Sequence, residues 1–288
     1  MGDRIAQADL PRLENDAKIG LLATVDGDGK PHISLITSLQ ARTPTELMFG
    51  QFTEGRSKEH VRREPRTAFA ILTPDRTLWR GTARWTRAAT EGEDHEAYNR
   101  KPMFRYNAYF GIHTVHYLDL VETRGAESLP LLRIAAGIAT TTLARGVRRG
   151  AAAEDPFTPW ARTFIGSPGT LKFVAFVRPD GFPWIVPMVP CAVADGPRLV
   201  LAATVHRAEL AALTSGQPVA VFAANMQAES VLVRGPFRGF RRVRGPRVGV
   251  VDVAFVYNSM PPQHGPVYPR PPLEPVTDFG EPLPSAGE

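Results

Sequence analysis

The chain runs through the same order of features twice, so its fold must be one that half of it can build and the other half can build again. Ile19–Trp85 and Lys172–Phe240 are the parallel stretches. In each, an apolar strand reaches a turn, Asp28-Gly29-Lys30-Pro31 in the first and Asp180-Gly181-Phe182-Pro183 in the second, and a second strand leaves it. A third strand follows, Glu46–Gly50 against Arg198–Ala202. A short helical stretch then ends at a proline: Ser57–Glu64 before Pro65, Ala208–Gly216 before Pro218. Fourth strands, Thr67–Leu72 and Val219–Ala223, lead to fifth strands with Arg-Gly at matching places, Arg80-Gly81 and Arg234-Gly235. A sixth strand closes each copy, Val115–Val121 and Val248–Phe255.

Local chemistry supports this reading. The strands are rich in Val, Ile, Phe, Leu and Thr and are bounded by Gly, Pro and Asp. Asp-Gly is a strong hairpin signal, because glycine accepts positive φ without a Cβ clash. Each proline stops its helix by biasing the residue before it away from the helical region. Short strands at regular spacing with one small helix predict a barrel, which also removes exposed sheet edges. The expected fold class is mainly β (α+β): two tandem six-stranded split β-barrels, each with a short helix. The first occupies residues 1–125 and includes a leading helix at Leu10–Asp16; a helical connector spans 126–159, centred on Pro130–Arg145; the second barrel is 160–260. A proline-rich tail, 261–288, should be extended. The first copy carries an insertion between Thr90 and Phe110 that the second lacks; its aromatic and basic residues suit either a packing arm or a lid.

Composition narrows the class. Of 288 residues, 43% are hydrophobic and 22% charged, enough to bury a core. The single cysteine, Cys191, allows no intrachain disulfide and reads as a small buried hydrophobe, which fits a cytoplasmic setting. Met1–Arg12 has no apolar leader core, and the least polar run, Ile134–Ala144, is short of the roughly 20 residues of a membrane span, so a soluble protein is expected. The formal net charge is +5, but basic and acidic residues alternate; the one dense cluster, Arg238, Arg241, Arg242, Arg244 and Arg247, reads first as a solvated strand edge. No nucleic-acid partner is expected from this pattern. His113 and His116 face opposite sides of a strand, and nothing has zinc spacing. Walker, dinucleotide and nucleophile-elbow motifs are missing as well.

The stretch Leu47-Met48-Phe49-Gly50-Gln51-Phe52-Thr53, followed by Arg56-Ser57-Lys58 and the helix end Arg63-Glu64-Pro65, resembles the FMN-binding split-barrel superfamily, the pyridoxamine 5′-phosphate oxidase-like proteins. The resemblance covers Ile19–Arg87 and, more loosely, Ile112–Glu122. It implies that the flavin phosphate lies at the start of the short helix, with Gln51, Thr53, Arg56, Ser57 and Lys58 around it. Elementary electrostatics agree, since a helix start presents unpaired N–H groups and a positive dipole end. Arg56 can bind phosphate oxygens bidentately, Lys58 adds a point charge, and Thr53 and Ser57 can donate hydroxyl hydrogen bonds. The resemblance further implies that the isoalloxazine lies along the second strand, His32–Ser38, against Ser34, Ile36 and Thr37, with Trp79 and Arg80 lining the site from the fifth strand. Core or interface packing is an equal reading of Trp79.

The second copy has Val205-His206-Arg207 where the first has Arg56-Ser57-Lys58. One flavin per chain is therefore expected, with the second barrel as the facing wall of an internal pseudo-dimer; a further homodimer of chains stays open. The implied function is an FMN-dependent oxidoreductase acting on a small molecule, with NAD(P)H a candidate donor, because a flavin carries the electrons and the protein supplies position. A deazaflavin is equally compatible with the phosphate site. The alternatives are a haem-binding or haem-degrading protein, with His206, His264 or His60 as the axial candidates, and a non-catalytic flavin-binding protein. The tail does not resemble the substrate segment of pyridoxamine phosphate oxidase itself, so that activity is not expected.

Overall fold

Why the apolar runs are continuous becomes plain in the computed structural model. The structure describes residues 2–15, 17–51, 55–101, 111–144, 155–194, 196–243, 245–258 and 265–269. A short helix α1 (Leu10–Leu13) precedes β1 (Ile19–Val25), β2 (Pro31–Leu35), β3 (Gln40–Thr43), β4 (Glu46–Gln51), α2 (Arg56–Arg63), β5 (Arg66–Leu72), β6 (Thr77–Ala89), α3 (Glu93–Arg100) and β7 (Thr114–Ser128). Two helices, α4 (Leu131–Ala144) and α5 (Pro159–Gly166), lead to the second half. That half comprises β8 (Leu171–Val177), β9 (Pro183–Pro187), β10 (Cys191–Val193), β11 (Arg198–Leu201), α6 (Arg207–Leu210), β12 (Pro218–Ala224), β13 (Ser230–Arg242), β14 (Arg247–Asp252), β15 (Phe255–Asn258) and β16 (Gly265–Tyr268). No helix among the described residues is long and apolar enough to cross a membrane.

The protein is mostly β, with two antiparallel sheets and few helices. The first sheet has the order β2-β1-β5-β6-β7-β4-β3; the second, read from its other end, is β9-β8-β12-β13-β14-β11-β10. Strand for strand these are the same order.

The expected elements differ from the observed ones in definite ways. Each sheet holds seven strands on this path instead of six, because the polar segment Gln40–Thr43 pairs with β4 and Cys191–Val193 pairs with β11. Neither pattern carries an apolar run long enough to announce a strand. Neither sheet closes on itself through hydrogen bonds, contrary to the barrel expectation: β2 and β3 are the ends of one path, β9 and β10 of the other. The Ile36 N–H still bonds the Gly20 carbonyl at 2.7 Å, and β2 ends where the Leu39 N–H donates to the Ile36 carbonyl at 3.0 Å, which places Thr37 and Ser38 in a turn. The helix of the second half is four residues long and ends well before Gly216, which takes φ +90° and donates its N–H to Phe237.

Both faces of the central strands are buried. On β1 and β5, Leu22, Phe69 and Ile71 point into a core shared with Leu13, Phe49, Trp79 and Leu118. The alternate residues, Leu21, Ala23, Ala68 and Ala70, pack with Phe173, Ala175, Ala220 and Phe222 of the other half. β8 and β12 mirror this, sending Val174, Phe176, Val219 and Val221 into the second half's own core. Strands buried on both faces read as unbroken apolar runs. Alanines let the two sheets approach, and Phe173 and Phe222 fill the space between. One end strand of each sheet, β2 or β9, packs on the opposite sheet, while α1 contacts β3 and α4 and α5 contact β10.

Candidate functional site

α2 lies against β1 and β2 at the boundary between the halves. Its N-cap is Gly55, which offers no side-chain cap. Lys58 folds back over that position: a Cβ on Gly55 would lie 3.3 Å from its Nζ. Ser57 and Lys58 are buried, and Arg56 is half-buried. Arg56 reaches across the boundary, where its guanidinium carbon stands 5.6 Å from the Phe255 ring centre and 5.3 Å from that of Tyr257, both on β15. It has no carboxylate partner among the described residues.

Behind Arg56 is a packed group of neutral rings. His32 is 1% exposed and meets His60 edge-on at 5.3 Å and Tyr257 at 5.6 Å. Thr24 Oγ1 is 3.0 Å from His60 Nδ1. Burial, reinforced by the charges of His60, Arg234 and Arg56, pushes the His32 pKa well below its usual value. Burial also lowers His60. The Nδ1 atom of His32 is buried with no hydrogen-bond partner among the described residues. Arg234 of β13 comes in from the other half, pairs with Asp26 at 2.6 Å and lies 4.4 Å from the Phe255 ring. Burial works to raise the Asp26 pKa, but hydrogen bonds from the Lys30 amide and Arg234 outweigh it and the net shift is downward. A cavity of about 420 Å³ opens beside this pair, walled by Lys30, Pro31, Val219, Arg234, Pro236 and Phe255.

The residues expected from the sequence are dispersed around this point. Ser34 shares the His32 face of β2 by strand alternation and is half-buried, as is Thr37 in the turn. Ile36 is buried in the core of the first half. Gln51 is buried, its Oε1 2.8 Å from His116 Nε2. His116 in turn stacks on Phe49 at 4.7 Å, and burial, with the charges of Lys58 and Arg62, lowers its pKa to about 4. Thr53 and His264 lie outside the described residues. Trp79 is fully buried in the first half's core with its indole N–H on Asp9, 3.0 Å away, which is the packing reading of that residue. His60 is engaged with Thr24, and His206 with Glu209 at 3.1 Å. Among the described residues no group of His, Cys, Asp and Glu could hold a metal ion.

Arg80 does not face α2. Its guanidinium crosses to Glu209 on α6 of the second half, while Arg234 of the second half crosses to Asp26, just after β1. The sequence matched Arg80-Gly81 with Arg234-Gly235, but the strand registers set the two pairs two residues out of step, with Thr82 in the place of Arg234; each arginine nonetheless reaches the opposite half. The paired glycines explain how the strands permit this. A Cβ on Gly81 would collide with the Glu122 carbonyl oxygen, and one on Gly235 with that of Asp252. Sequence reasoning also passed over Asp26, His32, Phe255 and Tyr257, whose only signal was their position next to the matched turns and strand ends.

At α6 the charges are satisfied internally. Glu209 accepts from Arg80, Arg124, Trp184 and His206, and Arg80 also pairs with Glu127 at 2.9 Å. Arg178, which stands where Asp26 stands in the first half, pairs with Glu122 at 3.0 Å. Burial works to raise the Glu209 pKa, yet the hydrogen bonds and charges of His206, Arg80 and Trp184 hold it far below the usual carboxylate range.

No known family's sequence model matches the chain, and no curated protein matches it in sequence. Among solved structures, an FMN-binding protein from Syntrophomonas wolfei subsp. wolfei is similar at 16% identity and a TM-score of 0.36, over 42% of this chain and 83% of that one. HupZ of Group A Streptococcus is similar at 18% identity and a TM-score of 0.34, over 41% of this chain and 91% of its own. An F420 reductase is similar at 18% identity and a TM-score of 0.31, over 39% of this chain and 94% of its own. Likeness at this level does not carry a ligand or an activity across to this chain.

Proposed function

We propose that the chain binds one flavin nucleotide, FMN or a deazaflavin, at the α2 side of the boundary and is an oxidoreductase acting on a small molecule. The observation that carries this reading is Arg56: a guanidinium at a helix start, without a carboxylate partner among the described residues, held on two aromatic rings of the opposite half. The uncapped Gly55 and the Lys58 ammonium folded over it add positive potential at the same point. A terminal phosphate fits that environment. The boundary cavity beside Arg234 supplies the space that a larger ligand needs.

In this reading Arg56 and Lys58 bind the phosphate, and Ser34 and Thr37 offer hydroxyls along the β2 edge. The β15 rings of the second half exclude water from the opposite side. The two halves act as an internal pseudo-dimer built from tandem split-barrel copies, so the site needs both. When bound, the flavin would supply hydride or electron transfer, with NAD(P)H the candidate donor. The chain's residues position it, and the neutral His32–His60 pair adds no competing positive charge.

Titration with FMN, followed by absorbance and by thermal unfolding, tests this. The expected result is saturation at one FMN per chain with a rise in Tm, since a ligand that favours the folded state must stabilise it. Arg56→Ala should weaken binding by roughly 10- to 100-fold, the worth of one charge-assisted contact, with the fold unchanged. No Tm response to FMN or to a deazaflavin would overturn the reading.

A further inference from the structure

The α6 side of the boundary poses the opposite question: why should five N–H groups from both halves converge on a single carboxylate? Arg80 Nη1 and Trp184 Nε1 donate to Glu209 Oε2, each at 2.6 Å. Arg80 Nη2, His206 Nδ1 and Arg124 Nη1 donate to Oε1 at 2.9, 3.1 and 3.3 Å. Arg80 is 1% exposed, so its fork is fixed by the fold, and its Nη1 also reaches the Ile185 carbonyl at 3.1 Å. Planar forks with an indole and an imidazole around one point are the geometry that recognises a phosphate or carboxylate from outside. The seat can be reached: a cavity of about 430 Å³ has Arg124, Arg178, Trp184 and Glu209 in its wall, with Phe176, Val177 and Pro179 as apolar lining.

The place in the fold is the twin of the α2 site. Trp184 corresponds to His32 and Arg178 to Asp26 in the matched strand order, while Arg80 lies on the strand equivalent to that of Arg234 but two residues out of register with it, Thr82 being the residue in the place of Arg234. The charges differ. At α2, Arg56 and Arg234 meet one carboxylate, Asp26. At α6, Arg80, Arg124 and Arg178 meet Glu209, Glu127 and Glu122. Removing Glu209 would leave Arg80, Arg124 and Arg178 with Glu127, Glu122 and Asp180, and would leave the five donors without their common acceptor.

We infer that Glu209 fills, from within the chain, a seat built for an anionic ligand, and that this one carboxylate closes the second half to phosphate-bearing molecules. The inference rests on the reading of α2 as an anion site only for the comparison; the seat itself is tested separately. Inorganic phosphate is the probe, with chloride at matched ionic strength as the control, and thermal unfolding of wild type and Glu209→Ala is the readout. Phosphate should raise the Tm of Glu209→Ala by about 5 °C beyond its effect on wild type, the shift expected for a newly saturated site. Glu209→Gln keeps the shape and removes the charge; it should show a smaller extra rise and serves if the alanine variant does not fold. Equal phosphate responses in wild type and the folded variant would overturn the inference, as would failure of both variants to accumulate in phosphate buffer. FMN binding by wild type judges the α2 reading alone, so the two can fail independently.

Discussion

The two ends of the boundary share a strand frame and differ in how their arginines are used. At α6, Arg80 is wholly buried and every guanidinium around it has a glutamate. At α2, Arg234 has Asp26, while Arg56 has, among the described residues, the faces of two rings and no carboxylate. A buried cation with two carboxylates ties the halves together at the cost of dehydrating all three groups. A half-buried cation with no carboxylate partner among the described residues contributes little to folding. One backbone arrangement thus supports a staple on one side and a vacancy of charge on the other, and the difference lies in a handful of side chains.

The largest test of that contrast is removal of the two crossing arginines. Arg80→Ala should cost about 3–5 kcal/mol in urea unfolding, because Glu209 loses two of its five N–H donors and Glu127 loses its buried partner. Arg234→Ala should cost about 1–3 kcal/mol, since only Asp26 loses its partner. Equal losses would erase the distinction. Next come the paired glycines. Gly81→Ala and Gly235→Ala should each cost about 1–3 kcal/mol, because each Cβ meets a backbone carbonyl that cannot swing aside. A loss in one half only would break the equivalence of the two strand crossings.

Acid should separate the halves more gently. His32, His60 and His116 all belong to the first half, and each has a folded pKa below the ordinary 6.5. The unfolded chain therefore binds more protons, so their contribution is whole above about pH 6.5 and drains away as pH falls toward the His116 value of about 4. Glu209 is depressed as a carboxylate, so its contribution persists above the usual glutamate value and is lost only below it. Hydrogen exchange at mildly acidic pH should show the β1, β2 and α2 amides loosening before those of β9 and β13. Uniform loosening would show that the histidines do not act as described. The smallest effect on stability belongs to Arg56→Ala, under about 1 kcal/mol for cation–ring contacts at a half-exposed site. A larger loss would mean that Arg56 is a second staple.

Much of the frame was legible from particular residues. The matched turns at Asp28-Gly29 and Asp180-Gly181 place the hairpins of β1–β2 and β8–β9, whereas the Arg-Gly pairs fall on equivalent strands, β6 and β13, but two residues out of register. β3 and β10 were not legible, because their pairing depends on a neighbour's edge and not on an apolar pattern of their own. The absence of closure was hidden for a related reason: the two-faced burial of β1 and β5 looks the same whether the second face meets the rest of a barrel or another sheet. At the site, Arg56, Ser57 and Lys58 were visible as a basic helix start, whereas Trp79 was undecided until the Asp9 contact placed it in the core.

By itself the sequence determined the period, the strand succession and the helix carrying Arg56, since these follow from local patterning, glycine and proline. Tertiary structure alone decided which arginine serves which helix. Arg80 and Arg234 lie on equivalent strands two residues out of register, and only the packing of one sheet on the other sends each guanidinium across the boundary. Their partners then differ, because what a charge meets depends on the opposite half, more than a hundred residues away along the chain, as in the Arg80–Glu209 hydrogen bond with a separation of 129.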